Sequence, residues 1–371
     1  NGDAASYIDD FKAAVTPFFL GAQANQNWKL ASTPKTADNR FDLSNQTEDN
    51  LGSGYRRARL AWYNIDNIFY RDGGQGVPTN ITAQDRRNHY VRRVIPQEIF
   101  KNQDREVILV PQPLFELAFF PQERGMYNYN PGLTTEGLLP NPRQNYGGVT
   151  RAITTEVDFD RTNIEYVEFW MMDPFLPGEN GKVLDGIFNQ NNTTGGKLFL
   201  NLGDISEDVI KDGSHAFENG LPADGNPAET TANEWGRITR QQFLLPAFDN
   251  SGTARVNQDV GFDGLKNEDE ATYFKGRFLD RLSISPAAKN ALTQDVSADG
   301  FQYYLDSKFD QANTKILERY KKFNGNEGNT PISADQNLPY TPSGTNIPDN
   351  EDLNTDNTIN ELENYYEYEI D

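Results

Sequence analysis

The sequence contains no cysteine and only two histidines, and each shortage removes a class of chemistry. Without cysteine there is no disulfide, no thiol nucleophile and no cysteine-ligated zinc. His89 and His215 are too few to favour a histidine metal site or a serine–histidine–aspartate triad. The chain also lacks an apolar run of about 18 residues, so it predicts no membrane-spanning helix. We therefore predict that the protein is not an enzyme.

Positive charge is the next shortage, with 34 Lys and Arg against 55 Asp and Glu and a net charge of −21. No Lys or Arg follows Lys322, so the negative charge is concentrated at the C-terminal end. This balance argues against nucleic acid and anionic membrane surfaces as partners, since both need arrays of basic residues. The chain starts at Asn1 with neither a methionine nor an apolar leader, and we expect a piece of a longer protein.

What the sequence has in abundance is aromatic residues and turn formers, with 23 Phe, 17 Tyr, 30 Gly and 20 Pro. Apolar residues alternate with polar ones in Val149–Phe159 and in Lys197–Leu202, as in half-buried strands. Ile164–Met172 is denser in apolar residues and predicts a strand that is covered on both faces. These spacings predict a mainly β fold, a jelly-roll-like β-sandwich of the carbohydrate-binding type with long loop and helical insertions.

Shorter apolar patterns predict the remaining strands, two helices and the division of the chain into segments. Further strands are predicted at Tyr7–Phe11, Leu60–Ile65, Val107–Val110, Leu114–Phe120 and Tyr366–Ile370, and helices over 267–282 and 306–323. The resulting segments are first sandwich strands at 1–72, a loop-rich insertion at 73–146, central strands at 147–210, an insertion with an acidic loop and helices at 211–347, and an acidic loop with a closing strand at 348–371.

The strongest local pattern is an acidic loop near the C-terminus that has the spacing of an EF-type calcium loop. Its oxygen-bearing residues fall at loop positions one, three, five, seven, nine and twelve: Asp352, Asn354, Asp356, Thr358, Asn360 and Glu363. Position six is Asn357, where the motif wants Gly, and Asn is the next most tolerant residue of a left-handed backbone. The alternative is a solvated acidic turn in which Thr358 and Glu361 form a capping box.

A second acidic loop runs from Asp259 to Glu270 and predicts a second calcium site. Asp259, Asp263 and Glu270 occupy positions one, five and twelve, and Gly264 stands at position six as the motif requires. Position three is Gly261, so one oxygen ligand is missing. The alternative is a plain Asp263-Gly264 turn followed by a helix that Asn267 caps, with Glu270 as its third-residue partner.

Two sugar-directed functions are alternatives. Trp62, Trp170, Tyr127 and Tyr129 could line the groove of a carbohydrate-binding module or another surface-binding β-sandwich protein, although aromatic residues in sandwiches are mostly core. A glycan hydrolase would need two carboxylates about 5–9 Å apart in a cleft. The sequence favours no such pair.

Several segments, in order along the chain, are similar to one family. They include Tyr7-Ile-Asp-Asp-Phe11, Leu60-Ala-Trp-Tyr63, Tyr129-Asn-Pro-Gly132, Tyr166-Val-Glu-Phe-Trp-Met171, Gly196-Lys-Leu-Phe-Leu-Asn-Leu-Gly-Asp-Ile-Ser-Glu-Asp-Val209, Gln258-Asp-Val-Gly-Phe-Asp-Gly264 and Pro348-Asp-Asn-Glu-Asp352. The chain resembles the SprA (Sov) family, the outer-membrane translocon of the type 9 secretion system of Bacteroidetes.

This resemblance implies a soluble inserted region of a giant outer-membrane β-barrel that exports folded proteins, gliding adhesins among them. Its implied partners are the rest of the barrel, a PorV-type shuttle, a periplasmic plug and the secreted substrates. The implied location is the outer membrane, at its extracellular or periplasmic face. With calcium in the acidic loops, the expected role is architectural, as part of a cap or gate.

Overall fold

A computed structural model describes residues 21, 27–36, 38–47, 49–102, 110–154, 157–161, 164–214, 221–240, 247–331 and 346–370. The strands are β1 (Lys29–Leu30), β2 (Ala58–Tyr63), β3 (Glu116–Arg124), β4 (Val149–Thr150), β5 (Lys182–Val183), β6 (Gln190–Asn191), β7 (Leu198–Asp204), β8 (Thr230–Ala232), β9 (Arg237–Thr239) and β10 (Asn364–Ile370). The α-helices are α1 (Ser44–Thr47), α2 (Pro96–Ile99), α3 (Gly252–Gln258), α4 (Asn267–Tyr273), α5 (Pro286–Leu292), α6 (Ser307–Gln311) and α7 (Ile316–Arg319). Single 3-10 turns lie at Asn50–Gly54, Asn67–Tyr70, Asp85–Arg87, Pro142–Gln144, Glu179–Gly181, Pro227–Glu229 and Leu279–Arg281.

The predicted jelly-roll-like β-sandwich is wrong. Across the described ranges, the strands form separate two-stranded antiparallel sheets, β1–β4, β2–β3, β5–β6, β7–β10 and β8–β9. A sandwich needs two multi-stranded sheets that face each other across a core. Here the long connections between strands run as loops and short helices, so the protein is a mixed α and β fold and not mainly β.

Some of the predicted strands are present in the structure and others are not. Those at Leu60–Ile65, Lys197–Leu202 and Tyr366–Ile370 correspond to β2, β7 and β10, and Leu114–Phe120 overlaps β3. Among the described residues of Val149–Phe159, only β4 is strand, and Ile164–Met172, which is described throughout, has no strand at all. The predictions at Tyr7–Phe11 and Val107–Val110 lie mostly or wholly outside the described residues, although Val110 itself is described as coil.

The segment Ile164–Met172 was predicted to be covered on both faces, and this is also wrong. Trp170 is 60% exposed and Met171 is 58% exposed, and Tyr166 is more exposed still. The apolar density of the segment is real, but no described strand pairs with it, and a strand exists only through its neighbours.

The best helix predicted from the sequence, 306–323, is two short helices. α6 ends at Gln311 and α7 begins at Ile316, with Asn313 between them in the left-handed conformation at φ 56°. The N–H of Thr314 donates to the carbonyl of Phe309, which closes α6 as a C-terminal cap. Over 267–282, the prediction holds for α4, after which the chain tightens into the 3-10 turn Leu279–Arg281.

Strand β2 lies between two hydrophobic clusters and contributes side chains to both. Because successive strand residues point to opposite faces, Ala58 and Trp62 enter one cluster while Ala61 and Tyr63 enter the other. The first cluster contains Tyr127, Tyr129, Trp235, Phe262, Phe274, Phe278 and Val296 among others, and the second contains Phe69, Phe120, Tyr304, Ile316 and Tyr320 among others. Among the described residues, no helix is both long enough and apolar enough to cross a membrane.

Three segments that are distant in sequence meet beside the first cluster. Glu327 forms a β-bridge with Val260 and another with Gly300, so the chain at 327 lies between the other two segments. Helix α4 packs against the same region, since the rings of Phe274 and Tyr129 stack with centroids 4.2 Å apart. This convergence positions the carboxylates that form the candidate site.

Candidate metal centre

Three buried carboxylates converge where these segments meet. Asp263, Glu270 and Asp299 each offer an oxygen atom, and these oxygens lie within 4.8 Å of one another. Asp263 is 1% exposed and the other two are fully buried. Within the described ranges, this is the set of acidic side chains that comes together closely enough to hold a metal ion. We call these three residues the carboxylate centre.

Asp263 is held by a tight turn. One carboxylate oxygen accepts the N–H of Leu265 at 2.9 Å, and the other accepts the hydroxyl of Ser297. Gly264 adopts φ +62°, and a Cβ there would lie 2.0 Å from the carbonyl oxygen of Arg237. The predicted Asp263-Gly264 turn is therefore confirmed, and Gly264 is needed both for its backbone and for the space.

Glu270 is fixed from the first turn of α4. Its Oε2 accepts the N–H groups of Val296 at 2.5 Å and Ser297 at 3.1 Å, whereas Oε1 is buried without a hydrogen-bond partner among the described residues. The helix begins at Asn267 itself, with Lys266 before it as the cap. Glu270 therefore faces the loop at 296–297 and is not the partner of an Asn267 cap.

Asp299 is the member of the centre that sequence reasoning missed. Both of its oxygens are buried, and neither has a partner with hydrogen-bond geometry in the described part of the chain. Burial, and then the charge of Asp299, raise the pKa of Tyr127, whose hydroxyl lies beside this carboxylate and accepts the N–H of Phe262 at 2.8 Å. The only signal in the sequence is the Asp299-Gly300 dipeptide, which reads as an ordinary turn.

Nearby cations are engaged elsewhere. Lys322 pairs with Asp295 at 2.6 Å, and Arg124 donates to the carbonyl of Val296 at 3.0 Å. No Lys or Arg of the described ranges forms a salt bridge with the three carboxylates of the centre. A fourth acid, Glu327, accepts the N–H of Asn267 at 3.0 Å through Oε1, and its Oε2 is buried without a described partner.

The electrostatics of the centre follow from this crowding. Burial, and then the neighbouring charges of Asp263 and Glu270, raise the pKa of Asp299 well above its ordinary value. Burial and the charge of Glu270 do the same to the pKa of Asp263. Burial also raises the pKa of Glu270, with a contribution from the charge of Asp295. Such carboxylates are stable only when they are protonated or share a cation, because an unpaired buried charge costs several kcal/mol.

Asp259, the first residue of the predicted internal loop, is not brought into the centre. Its carboxylate accepts the N–H and the hydroxyl of Thr330, both at 2.9 Å, and the N–H of Gly328 at 3.0 Å. The loop prediction therefore has two residues that meet, Asp263 and Glu270, and one that ties down a different segment. Whether either loop binds calcium stays a prediction.

In the predicted C-terminal loop, the side chains mostly bond within their own turn. The Asp352 carboxylate accepts the N–H groups of Asp356 at 3.2 Å and Asn357 at 2.7 Å, and Asn354 also accepts from Asp356. Asn357 adopts φ +67°, which is the left-handed backbone that position six of a calcium loop needs. Residues 358–363 are not helical, so Thr358 has no helix to cap.

Two residues of that loop, Asn360 and Glu363, bond to residues outside it. Glu363 accepts the N–H of Lys35 at 2.8 Å and lies 3.8 Å from the Lys211 ammonium group. The N–H of Asn360 donates to Glu207 at 3.1 Å. Among the described residues, Asp352, Asp356 and Glu363 do not form a group of carboxylates close enough to share a metal ion, and Glu363 has partners outside the loop.

The four aromatic residues considered for sugar binding do not share a surface. Trp62, Tyr127 and Tyr129 are buried in the first cluster, and Trp170 alone is exposed. The Trp62 indole N–H donates to the carbonyl of Trp28 at 2.9 Å. Three of the four therefore serve as core.

Comparison with known proteins gives one family. Residues 277–371 match the SprA_N family model, which is described as a motility related/secretion protein, and no curated protein matches the chain. The matched residues include Asp299 of the carboxylate centre, Glu327 and the whole C-terminal acidic loop. Residues 277–371 of the chain are therefore similar to the SprA_N family of motility-related and secretion proteins.

Proposed function

We propose that this chain is a non-enzymatic domain in the extracellular cap of a type 9 protein-secretion translocon in the outer membrane. Its role is architectural, and calcium bound in acidic loops holds its long connections in place. Its neighbours are the remainder of the translocon barrel, PorV-type and plug-type partners, and the folded substrates that leave through the pore.

The observation that carries this proposal is the SprA_N match over residues 277–371. The secretion and motility assignment rests on that match, and the finer placement in a cap is our inference from the resemblance. The strong acidity supports a calcium-rich extracellular setting, where sites with a Kd of roughly 0.1–1 mM are filled. A ligand that binds only the folded state stabilises it by about 2.7 kcal/mol at a hundredfold excess over Kd.

These 371 residues contain no cysteine, so a thiol introduced here reports the position of this domain once any cysteine elsewhere in the full-length protein has been replaced. Ala287→Cys places a thiol on an exposed residue of α5, in the full-length protein on intact cells. A membrane-impermeant maleimide that carries a photo-crosslinker should label this thiol. Illumination during export should then join the domain to proteins that carry the C-terminal secretion signal.

The matched control is Ala61→Cys, because Ala61 is fully buried and should react only after denaturation. Labelling of Ala287→Cys only after the outer membrane is permeabilised would place the domain in the periplasm and overturn the cap assignment. Surface labelling without crosslinks to signal-bearing proteins would overturn the role in export.

A further inference from the structure

The missing oxygen of the internal acidic loop has a replacement from elsewhere in the chain. Gly261, at loop position three, adopts φ +72°, and a Cβ built there would lie 2.2 Å from Oδ2 of Asp299. The Asp299 carboxylate therefore stands where the side chain of the third loop residue would begin. It lies 29 residues after Glu270, the last residue of the loop.

A second observation marks this cluster as more than a group of acids. Asp299 and Glu270 are both fully buried, yet three of their four carboxylate oxygens have no hydrogen-bond partner among the described residues. Buried polar atoms are normally satisfied, and each exception asks for an unseen partner. Here the orphan oxygens belong to side chains that converge on one point.

The donor chemistry selects the class of ligand. The centre offers carboxylate oxygens and no nitrogen or sulfur, which suits a hard divalent cation. Calcium binds oxygen at about 2.3–2.6 Å, so oxygens on opposite sides of the ion are roughly 5 Å apart. The three oxygens of the centre lie within 4.8 Å of one another, so a single ion of this size can contact all three. Opposite ligands of magnesium are only about 4 Å apart and need a near-ideal octahedron.

We propose that Asp263, Glu270 and Asp299 bind one calcium ion as a split loop, in which Asp299 replaces position three and Asp259 is not a ligand. The inference rests on the part of the proposed function that assigns calcium to the acidic loops, and it does not depend on the translocon assignment. Glu327 and Asn267 each carry a further buried oxygen without a described partner at this end of the molecule.

The ion would join segments that the chain alone holds apart. Asp263 lies in a turn, Glu270 in α4, and Asp299 in the loop that follows α5. Without a cation, the three buried carboxyl groups must either repel one another as charges or take up protons, and both lower the stability of the fold. With it, the same charges become the attraction that fixes the helix to the two loops.

The first measurement is the number of calcium ions bound by the 371-residue chain, by equilibrium dialysis at about 1 mM calcium. Terbium is a second probe, because Tyr129 bonds to Ser297 at 2.9 Å beside the centre and can sensitise terbium emission. Both are measured in a Glu363→Gln background, which weakens the C-terminal loop. One ion and tyrosine-sensitised emission should remain in that background, and the loss of both would overturn the proposal.

The variants then separate the split loop from a contiguous one. Asp299→Asn should weaken calcium binding at least about tenfold and remove the terbium emission, because a ligand charge is lost. Asp259→Asn is the matched control, since it makes the same change in the residue that the contiguous motif would use, and it should bind calcium as tightly as the parent. The opposite ranking of these two variants would overturn the proposal.

A readout of stability distinguishes a ligand from a residue that only supports the fold. In EDTA, Asp299→Asn should unfold at a higher temperature than the parent, because it removes a buried group that must either carry a repelling charge or be neutralised by a proton. In calcium, it should unfold at a lower temperature than the parent. If it is the less stable chain in both conditions, Asp299 supports the fold and is not a ligand. Should this variant fail to fold, Glu270→Gln is measured in the same way, and the ion count of the parent still decides.

These results are independent of the cell experiment. A chain that binds no ion at the centre but labels and crosslinks at the cell surface would retain the translocon role without the split loop. A chain that binds the ion but fails in cells would retain the split loop alone.

Discussion

At the scale of single residues, the sequence predicts two members of the carboxylate centre and not the third. Asp263 and Glu270 belong to one short pattern, so their spacing is enough to bring them near each other. The tertiary structure brings Asp299 to the centre from a distant part of the sequence, and nothing in its local sequence predicts that it lies near Glu270. For Asp259 the sequence errs in the other direction, since it predicts a ligand that the fold does not bring to the centre. Its position in the motif is right, but its carboxylate accepts the amide N–H of Thr330 instead.

Gly261 is the residue at which the replacement of the third loop ligand by Asp299 can be tested. Gly261→Ala should destabilise the chain, because a non-glycine residue in the left-handed region costs roughly 1 kcal/mol and the new Cβ must also displace the Asp299 carboxylate. Gly328→Ala is the matched control, since Gly328 has the same φ of +72° but its Cβ would meet nothing within 4 Å. Chemical denaturation in calcium should show the larger loss for Gly261→Ala, together with weaker calcium binding. Equal losses in the two variants would mean that the Asp299 contact carries no energy.

At the scale of elements, alternation identified where strands run but not how they pair. β2, β7 and β10 have the period-two pattern and are strands. The prediction of a sandwich is wrong because a sheet depends on partner strands that are distant in sequence. In the described ranges, these strands pair only two at a time. The same limit explains Ile164–Met172, whose apolar residues have no partner strand and remain exposed.

The break between α6 and α7 shows how one residue can override a helical pattern. The apolar spacing over 306–323 predicts a continuous helix, yet Asn313 sits in the left-handed conformation and ends α6. Asn313→Ala should therefore destabilise the chain by about 0.5–1 kcal/mol, because Ala tolerates this conformation less well than Asn. In a continuous helix, the same change would stabilise by a few tenths of a kcal/mol, since Ala has the higher helix propensity.

The sign of that effect is the test, and α5 supplies the reference. Asn290→Ala makes the same change at an exposed position inside α5, where it should be mildly stabilising. Urea denaturation of both variants measures the difference. If Asn313→Ala and Asn290→Ala shift the midpoint in the same direction, residue 313 is not a helix terminus in solution.

At the scale of the whole molecule, the family match begins inside a packed region. Residue 277 immediately precedes Phe278 and Leu279, which belong to the first cluster with residues such as Trp62. Further along, Tyr320 stacks on Tyr63 of β2 with ring centroids 4.1 Å apart, and Asn324 bonds to the backbone of Trp62 in both directions. The matched segment therefore shares its cores with the earlier part of the chain and is not a separate folding unit.

Because β2 serves both clusters, we expect the two to unfold together. Phe274→Ala truncates a fully buried ring of the first cluster, and Phe69→Ala truncates a ring of the second that is 1% exposed. Each should lower the free energy of unfolding by about 3–5 kcal/mol, through lost burial and the cavity left behind. Phe175→Ala is the matched control, because its ring is 46% exposed and its removal should change stability by less than about 0.5 kcal/mol. Calorimetry should show one transition that both core variants move to lower temperature. Two transitions, each sensitive to only one variant, would mean that β2 separates two independent domains instead of joining one.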